Sequence, residues 1–317
     1  MFPNPLFLGT LFQWFFDDIW ARVFDQLAVL TGVDMLGYPF MQRAYLAAVT
    51  IAVIGPLVGS FLVHREMAMI GDTLAHSAFA GVAVGLFVDA TFGLGVSPLT
   101  TALVVAVVAA LVVQVLIERF GAYTDTSLAI VLTGSFAVGS VLITATDGGI
   151  AVGISQYLFG SLATVTRSSV AVLTAMTVLV VAVVALTYRP LVYVTFDAVG
   201  ARAAGLPVVW YNRLLVVLTA VVVVGAMQIM GVILVAAMLV IPVATAAGAR
   251  GFKWSIGEAI LAGMFATVGG VTLSYWYGVA AGGTIVLLAI ALYVGAHVFR
   301  ALSTVLRTTV RRFRTSQ

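Results

Sequence analysis

The chain has 317 residues, 62% of them hydrophobic and only 9% charged, with a formal net charge of +3. A soluble domain carries about 25% charged residues, and a fold this apolar could not cover its surface with polar groups, so a soluble globular protein is excluded. The absence of cysteine removes disulfides, thiolate metal sites and cysteine nucleophiles.

The stretch 7–30 alternates aromatic residues with Asp17, Asp18 and Asp25 and has no basic opening, so it does not read as a cleavable signal. It predicts an amphipathic helix lying at the membrane interface, within an extracytoplasmic segment covering residues 1–43. Long apolar runs follow, and strand-like alternation is missing, which favours helices over a β-barrel. The expected fold class is therefore all-α, a polytopic helical bundle in the membrane.

A crossing helix needs about 20 apolar residues. Candidate spans are 44–63, 67–88, 99–117, 127–143, 169–186, 209–227, 231–248, 256–274 and 283–299, which makes nine, or eight if a short one is merged or re-entrant. Residues 44–299 form the transmembrane domain, and 159–165 reads as a short interfacial or re-entrant piece. With the amino-terminal segment outside, the inside collects Arg65, Arg119, Arg189, Arg202, Arg213, Arg250, Lys253 and the basic tail 300–317. The outside then holds Arg22, Arg43 and Arg167 with Asp17, Asp18, Asp25, Asp34, Asp89 and Asp147. This asymmetry favours a cytoplasmic carboxyl terminus in a cell-membrane protein.

Polar groups in such spans are expensive and mark functional candidates. Asp72 and His76 open the second span at i, i+4, on one helical face, where a carboxylate and an imidazole can share a divalent cation. Two ligands do not close a tetrahedral site, but a two-fold dimer would supply four. Transport through such a pair should weaken as acid protonates the imidazole. The alternative is a hydrogen-bonded pair that fixes helix packing.

Between Arg189-Pro190 and Arg213 the spacing predicts a cytoplasmic interruption containing a short helix. Asp197 caps its start, Gly205 follows its end, and Pro207 blocks continuation. Small residues around Ala201, with Arg202 and Leu206, offer a smooth surface for a cytoplasmic partner, or a plain connector. Gln114, Gln228, Glu258 and His297 are isolated polar residues that bond neighbouring helices more often than a substrate. His64 reads as interfacial, Gly55 and Gly59 as a close-packing pair, and Pro242 as a kink or break. The sole lysine, Lys253, precedes Trp254, so no phosphate-binding loop ending in Lys-Ser or Lys-Thr exists, and if ATP drives transport a separate ATPase subunit must supply it.

Five pieces in order resemble the membrane permease of zinc- and manganese-type ABC importers: 39–44 (Pro-Phe-Met-Gln-Arg-Ala), Ile70-Gly71-Asp72 followed by His76, 157–162 (Tyr-Leu-Phe-Gly-Ser-Leu), 196–206, and the proline-containing 231–246. Ala80 stands where that family often has proline, Ala198-Val199 replace a frequent Pro-Glu, and 278–282 lacks the usual Asp-x-Pro turn. The resemblance implies a homodimeric, non-enzymatic permease with separate cytoplasmic ATPase subunits and an extracytoplasmic metal-binding protein. It implies transported Zn2+ or Mn2+ with no permanently bound cofactor, Asp72 and His76 on the ion path, and Asp197, Ala201, Arg202, Gly205 and Leu206 at the ATPase contact. Lipid is an expected partner and nucleic acid is not. The rival readings are a transporter driven by an ion gradient and a non-transporting membrane scaffold or sensor.

Overall fold

The structure is a computed structural model that describes residues 12, 14–121, 123–145, 157–158, 160 and 165–314, with side chains through 302. A π-helical turn, Phe15–Ala21, runs into α1 (Arg22–Thr31), and a 3-10 turn, Asp34–Gly37, leads into the bundle. The bundle comprises α2 (Pro39–His64), α3 (Ile70–Phe92), α4 (Pro98–Phe120), α5 (Thr124–Thr144), α6 (Arg167–Phe196), the short α7 (Ala198–Ala203), α8 (Val208–Met230), α9 (Val232–Thr245), α10 (Phe252–Tyr277) and α11 (Ala281–Arg314). No strand occurs among the described residues. The expected element at 159–165 lies outside the described residues apart from Gly160 and Val165, as does Asp147.

Local sequence sets the ends of these helices. Pro39 and Pro98 occupy the first helical position, where the ring fixes φ and the missing N–H would have had no helical partner. Eight helices among the described residues are long and apolar enough to cross a membrane. The ninth, α9, has 14 residues and so spans about 21 Å, short of the roughly 30 Å of hydrocarbon. It packs against α2, α3, α10 and α11, so its ends rest in protein rather than in lipid.

One expectation needs correction. The interruption predicted from Arg189-Pro190 onward starts later, because α6 continues through Pro190 to Phe196. The hydrogen bond that Pro190 forgoes belongs to the carbonyl of Leu186, whose side chain is exposed on the outer face of α6. The helix thereby reaches about 45 Å, longer than the roughly 30 Å of hydrocarbon.

Burial separates an inner set of helices from an outer one. In α2, α8 and α3 the most apolar stretch is 78%, 72% and 61% buried, whereas in α5, α6 and α11 it is 22%, 22% and 11%. The inner contacts depend on small residues. A Cβ on Gly59 of α2 would overlap the backbone carbonyl of Leu239 in α9, and one on Gly55 would sit 3.2 Å from the Met238 oxygen. Only glycine lets the two backbones approach this closely.

The two ends of the bundle differ in their bonding. At one end the amino-terminal segment is fastened down: Trp20 Nε1 donates to the Gln42 carbonyl at 2.9 Å, Gln42 Nε2 donates to Asp25 at 2.7 Å, and Arg167 pairs with Asp17 at 3.1 Å. At the other end meet the last turns of α2, α4, α6 and α9 and the first turns of α8 and α10. There Arg213 pairs with Glu118 at 2.9 Å, Arg300 donates to the Thr245 carbonyl at 2.9 Å, and His64 lies edge-on to Phe196 and Phe252.

Candidate metal centre

Asp72 lies in the first turn of α3 and His76 one turn later. The partial positive charge at a helix start favours the carboxylate there. Asp72 Oδ1 and His76 Nε2 are 3.6 Å apart, with 44% and 27% of the side chains exposed. That separation is too long for a hydrogen bond. It suits a shared ion, since two donors about 2.0–2.2 Å from one tetrahedral metal lie about 3.4 Å from each other.

The surroundings hold the imidazole in place without engaging its second nitrogen. Phe136 of α5 meets the His76 ring edge-on, with centroids 5.5 Å apart, and stacks on Phe79. His76 Nδ1 is buried and has no hydrogen-bond partner. Beside the pair, the Ser77 hydroxyl lies 2.9 Å from that of Ser135 and donates to the Thr73 carbonyl, fastening α3 to α5. No group of three or more His, Cys, Asp or Glu residues placed to hold an ion occurs among the described residues. One copy of the chain therefore offers two such donors there. A neighbouring cavity of about 310 Å³ between α3, α4 and α5 is lined mostly by apolar residues, among them Ala80, Val84, Val105, Val131 and Val138, with Ser135 as its polar side chain.

The other predicted site residues follow the carboxyl end of α6, at the end of the bundle where α3 begins. Asp197 Oδ1 accepts the Gly200 N–H at 2.7 Å and caps α7, and Gly205 turns the chain away at φ +80°. Not all of the residues assigned to a partner contact face outward. Ala201 is fully buried against Val194 and Val208, and Leu206 packs on the same small cluster. A six-residue helix needs one side to seat on its own protein, and Ala201 is small enough to be that side. The outward surface is formed by Phe196, Asp197, Val199, Arg202 and Gly205. Of the isolated polar residues, Gln114 is buried, while Glu258 and His297 are exposed.

Sequence reasoning treated Arg65 only as one of the inside charges. In the structure its guanidinium reaches across to two other helices. Nε donates to Thr195 Oγ1 at 2.9 Å, Nη1 to Asn212 Oδ1 at 2.8 Å, and Nη2 approaches the Leu191 carbonyl at 3.4 Å. Burial lowers the guanidinium to about 10, which leaves it charged at neutral pH. Among the described residues no carboxylate lies within ion-pair distance of it. The next residue, Glu66, has φ +59°, a left-handed conformation that costs a non-glycine residue roughly 1–2 kcal/mol. The signals available in sequence were weak, because the partners of Arg65 lie 126 to 147 residues away.

With this geometry in view, the comparisons decide the family. Residues 37–300 match the ABC 3 transport family. The chain belongs to that family. It is 34% identical over 267 residues to the manganese transport system membrane protein MntC of Halalkalibacterium halodurans, covering 84% of this chain and 89% of that one. It is 30% identical to the manganese import system permease protein ScaB of Streptococcus gordonii, covering 81% and 90%. The solved PsaBC complex from Streptococcus pneumoniae superposes with a TM-score of 0.73 at 29% identity, over 83% of this chain and 92% of that one. A transporter described as of metal-chelate type, in an inward-facing conformation, shares the fold with a TM-score of 0.64 at 18% identity, over 88% and 98%. The all-α membrane bundle and the resemblance to metal-ion ABC permeases are both upheld. The chain is a multi-pass membrane permease of the metal-ion ABC importer type.

Proposed function

We propose that this permease moves a divalent transition-metal ion, manganese before zinc, with Asp72 and His76 as transient ligands. The observation that carries the reading is the 3.6 Å oxygen–nitrogen pair on one half-exposed face of α3. A carboxylate and an imidazole suit manganese and zinc alike. The names of the relatives, manganese systems in both cases, favour manganese.

Asp72 lies in the first turn of α3, where an ionised carboxylate costs less than the about 2.5–3.5 kcal/mol of the bilayer centre, and a half-exposed polar pair there still favours water or a second copy over lipid. A two-fold dimer about this face supplies two carboxylates and two imidazoles, enough for four-coordination. The end bearing α7 is cytoplasmic, since Arg65, Arg119, Arg189, Arg202, Arg213 and Lys253 gather there. The outward residues of α7 meet separate ATPase subunits, and the opposite end, with the amino-terminal segment, receives ion from a binding protein. ATP turnover drives flux only if the pair binds the ion differently in the outward-open and inward-open states.

Reconstitution with the ATPase and binding protein tests this reading. ATP-dependent uptake of Mn2+ or Zn2+ by the wild type, lost in His76→Ala, is the expected result. Uptake that persists without the ATPase, or is indifferent to both Asp72→Ala and His76→Ala, overturns it.

A further inference from the structure

We propose that Arg65 is a positioning residue that transmits movement of α7 to the Asp72–His76 pair. This rests on the functional reading above and adds a named mechanical link to it.

The link is short and continuous. Thr195 lies two residues before Asp197, the cap of α7, and Asn212 lies in the first turns of α8, the helix that follows α7. Arg65 donates to both, so its planar fork spans the root of the α7 excursion from either side. Arg65 is also the residue at which α2 ends. From it the chain makes one tight corner, with Arg65 N bonded to the Leu62 carbonyl at 3.1 Å, Glu66 N to Val63 at 3.1 Å and Met67 N back to Leu62 at 2.9 Å. It then enters α3, whose first turn carries Asp72. Thr73 ties that turn down further, its hydroxyl donating to the Met69 carbonyl at 3.1 Å. A displacement of the α6 and α8 ends by a partner on α7 therefore pulls on Arg65, and the corner has little slack before the displacement reaches α3.

The chemistry of the contact suits a moving part. All partners of Arg65 are neutral oxygens, which leaves the bond set directional but without the grip of a carboxylate pair. The requirement is for an arginine specifically. A lysine keeps the charge but is a point donor and cannot hold Thr195 and Asn212 together in a fixed plane.

The test uses the full complex in proteoliposomes and reads Mn2+ delivered per ATP hydrolysed, alongside Mn2+ affinity of the purified permease from the resonance signal of free Mn2+. For Arg65→Lys, delivery per ATP is expected to fall roughly tenfold while affinity stays within about twofold of wild type. Thr195→Ser preserves a neutral acceptor for Nε and should keep the wild-type ratio. If Arg65→Lys does not fold, the double variant Thr195→Val with Asn212→Leu, which retains Arg65, carries the same expectation. An unchanged ratio in whichever of these two variants folds, or a ratio that falls only together with Mn2+ affinity, overturns the link. Absence of ATP-dependent uptake by the wild type overturns the functional reading and the link with it, whereas wild-type uptake with an unchanged variant ratio overturns the link alone.

Discussion

The inner helices and the outer helices obey different packing rules, and His76 sits where the two meet. Around α2 and α9 the backbones approach so closely that Gly59 has no room for a Cβ. Along α6 and α5 large side chains such as Val178, Leu179, Ile130 and Val141 are more than half exposed. In lipid such side chains gain nothing by burial against protein, so close contact needs small residues and apolar bulk can stay outside. The candidate metal pair belongs to α3, an inner helix, yet faces Phe136 on α5, an outer one. The candidate pair thus lies on the seam between closely packed and loosely packed helices.

The largest effect expected from this contrast is at Gly59. Gly59→Val should cost about 3 kcal/mol or more, seen as loss of folded protein or a lowered melting temperature in detergent. A normal melt would break the distinction between inner and outer packing. Next comes the pair itself. Asp72→Asn should reduce Mn2+ affinity roughly a hundredfold, about 2.7 kcal/mol, with the melt unchanged. A collapse in stability instead would reassign Asp72 and His76 to helix packing. Phe136→Ala is expected to be milder, a loss of up to about tenfold in uptake as His76 gains freedom, because one aromatic contact is worth roughly 0.5–1.5 kcal/mol. The smallest effect belongs to the outer face, where Val178→Ala should shift stability by no more than about 0.5 kcal/mol.

Much of this was readable in the amino acids. Apolar runs long enough to cross a bilayer are an unambiguous signal, and every predicted span has a helix in the structure. The i, i+4 spacing placed Asp72 and His76 on one face before any coordinates did. Where the reading went astray, local rules met tertiary context. Pro190 looked like a stop, but α6 runs on through it to Phe196. Ala201 looked like part of an outward surface because a six-residue run of small residues carries no amphipathic contrast to say which side is buried. Arg65 was counted only for its charge, since hydrogen bonds to Thr195 and Asn212 leave no trace in nearby sequence.

The vacant nitrogen of His76 has a kinetic consequence. Histidines that hold a resident metal usually donate their far N–H to an acceptor, which orients the ring and makes the near nitrogen a stronger base. For the His76 ligand proposed above, an Nδ1 with no acceptor among the described residues predicts a weaker grip and faster release of the ion. Residence time on such a ligand is short, and a brief stay is what a conduit needs if each arriving ion is to be replaced by the next.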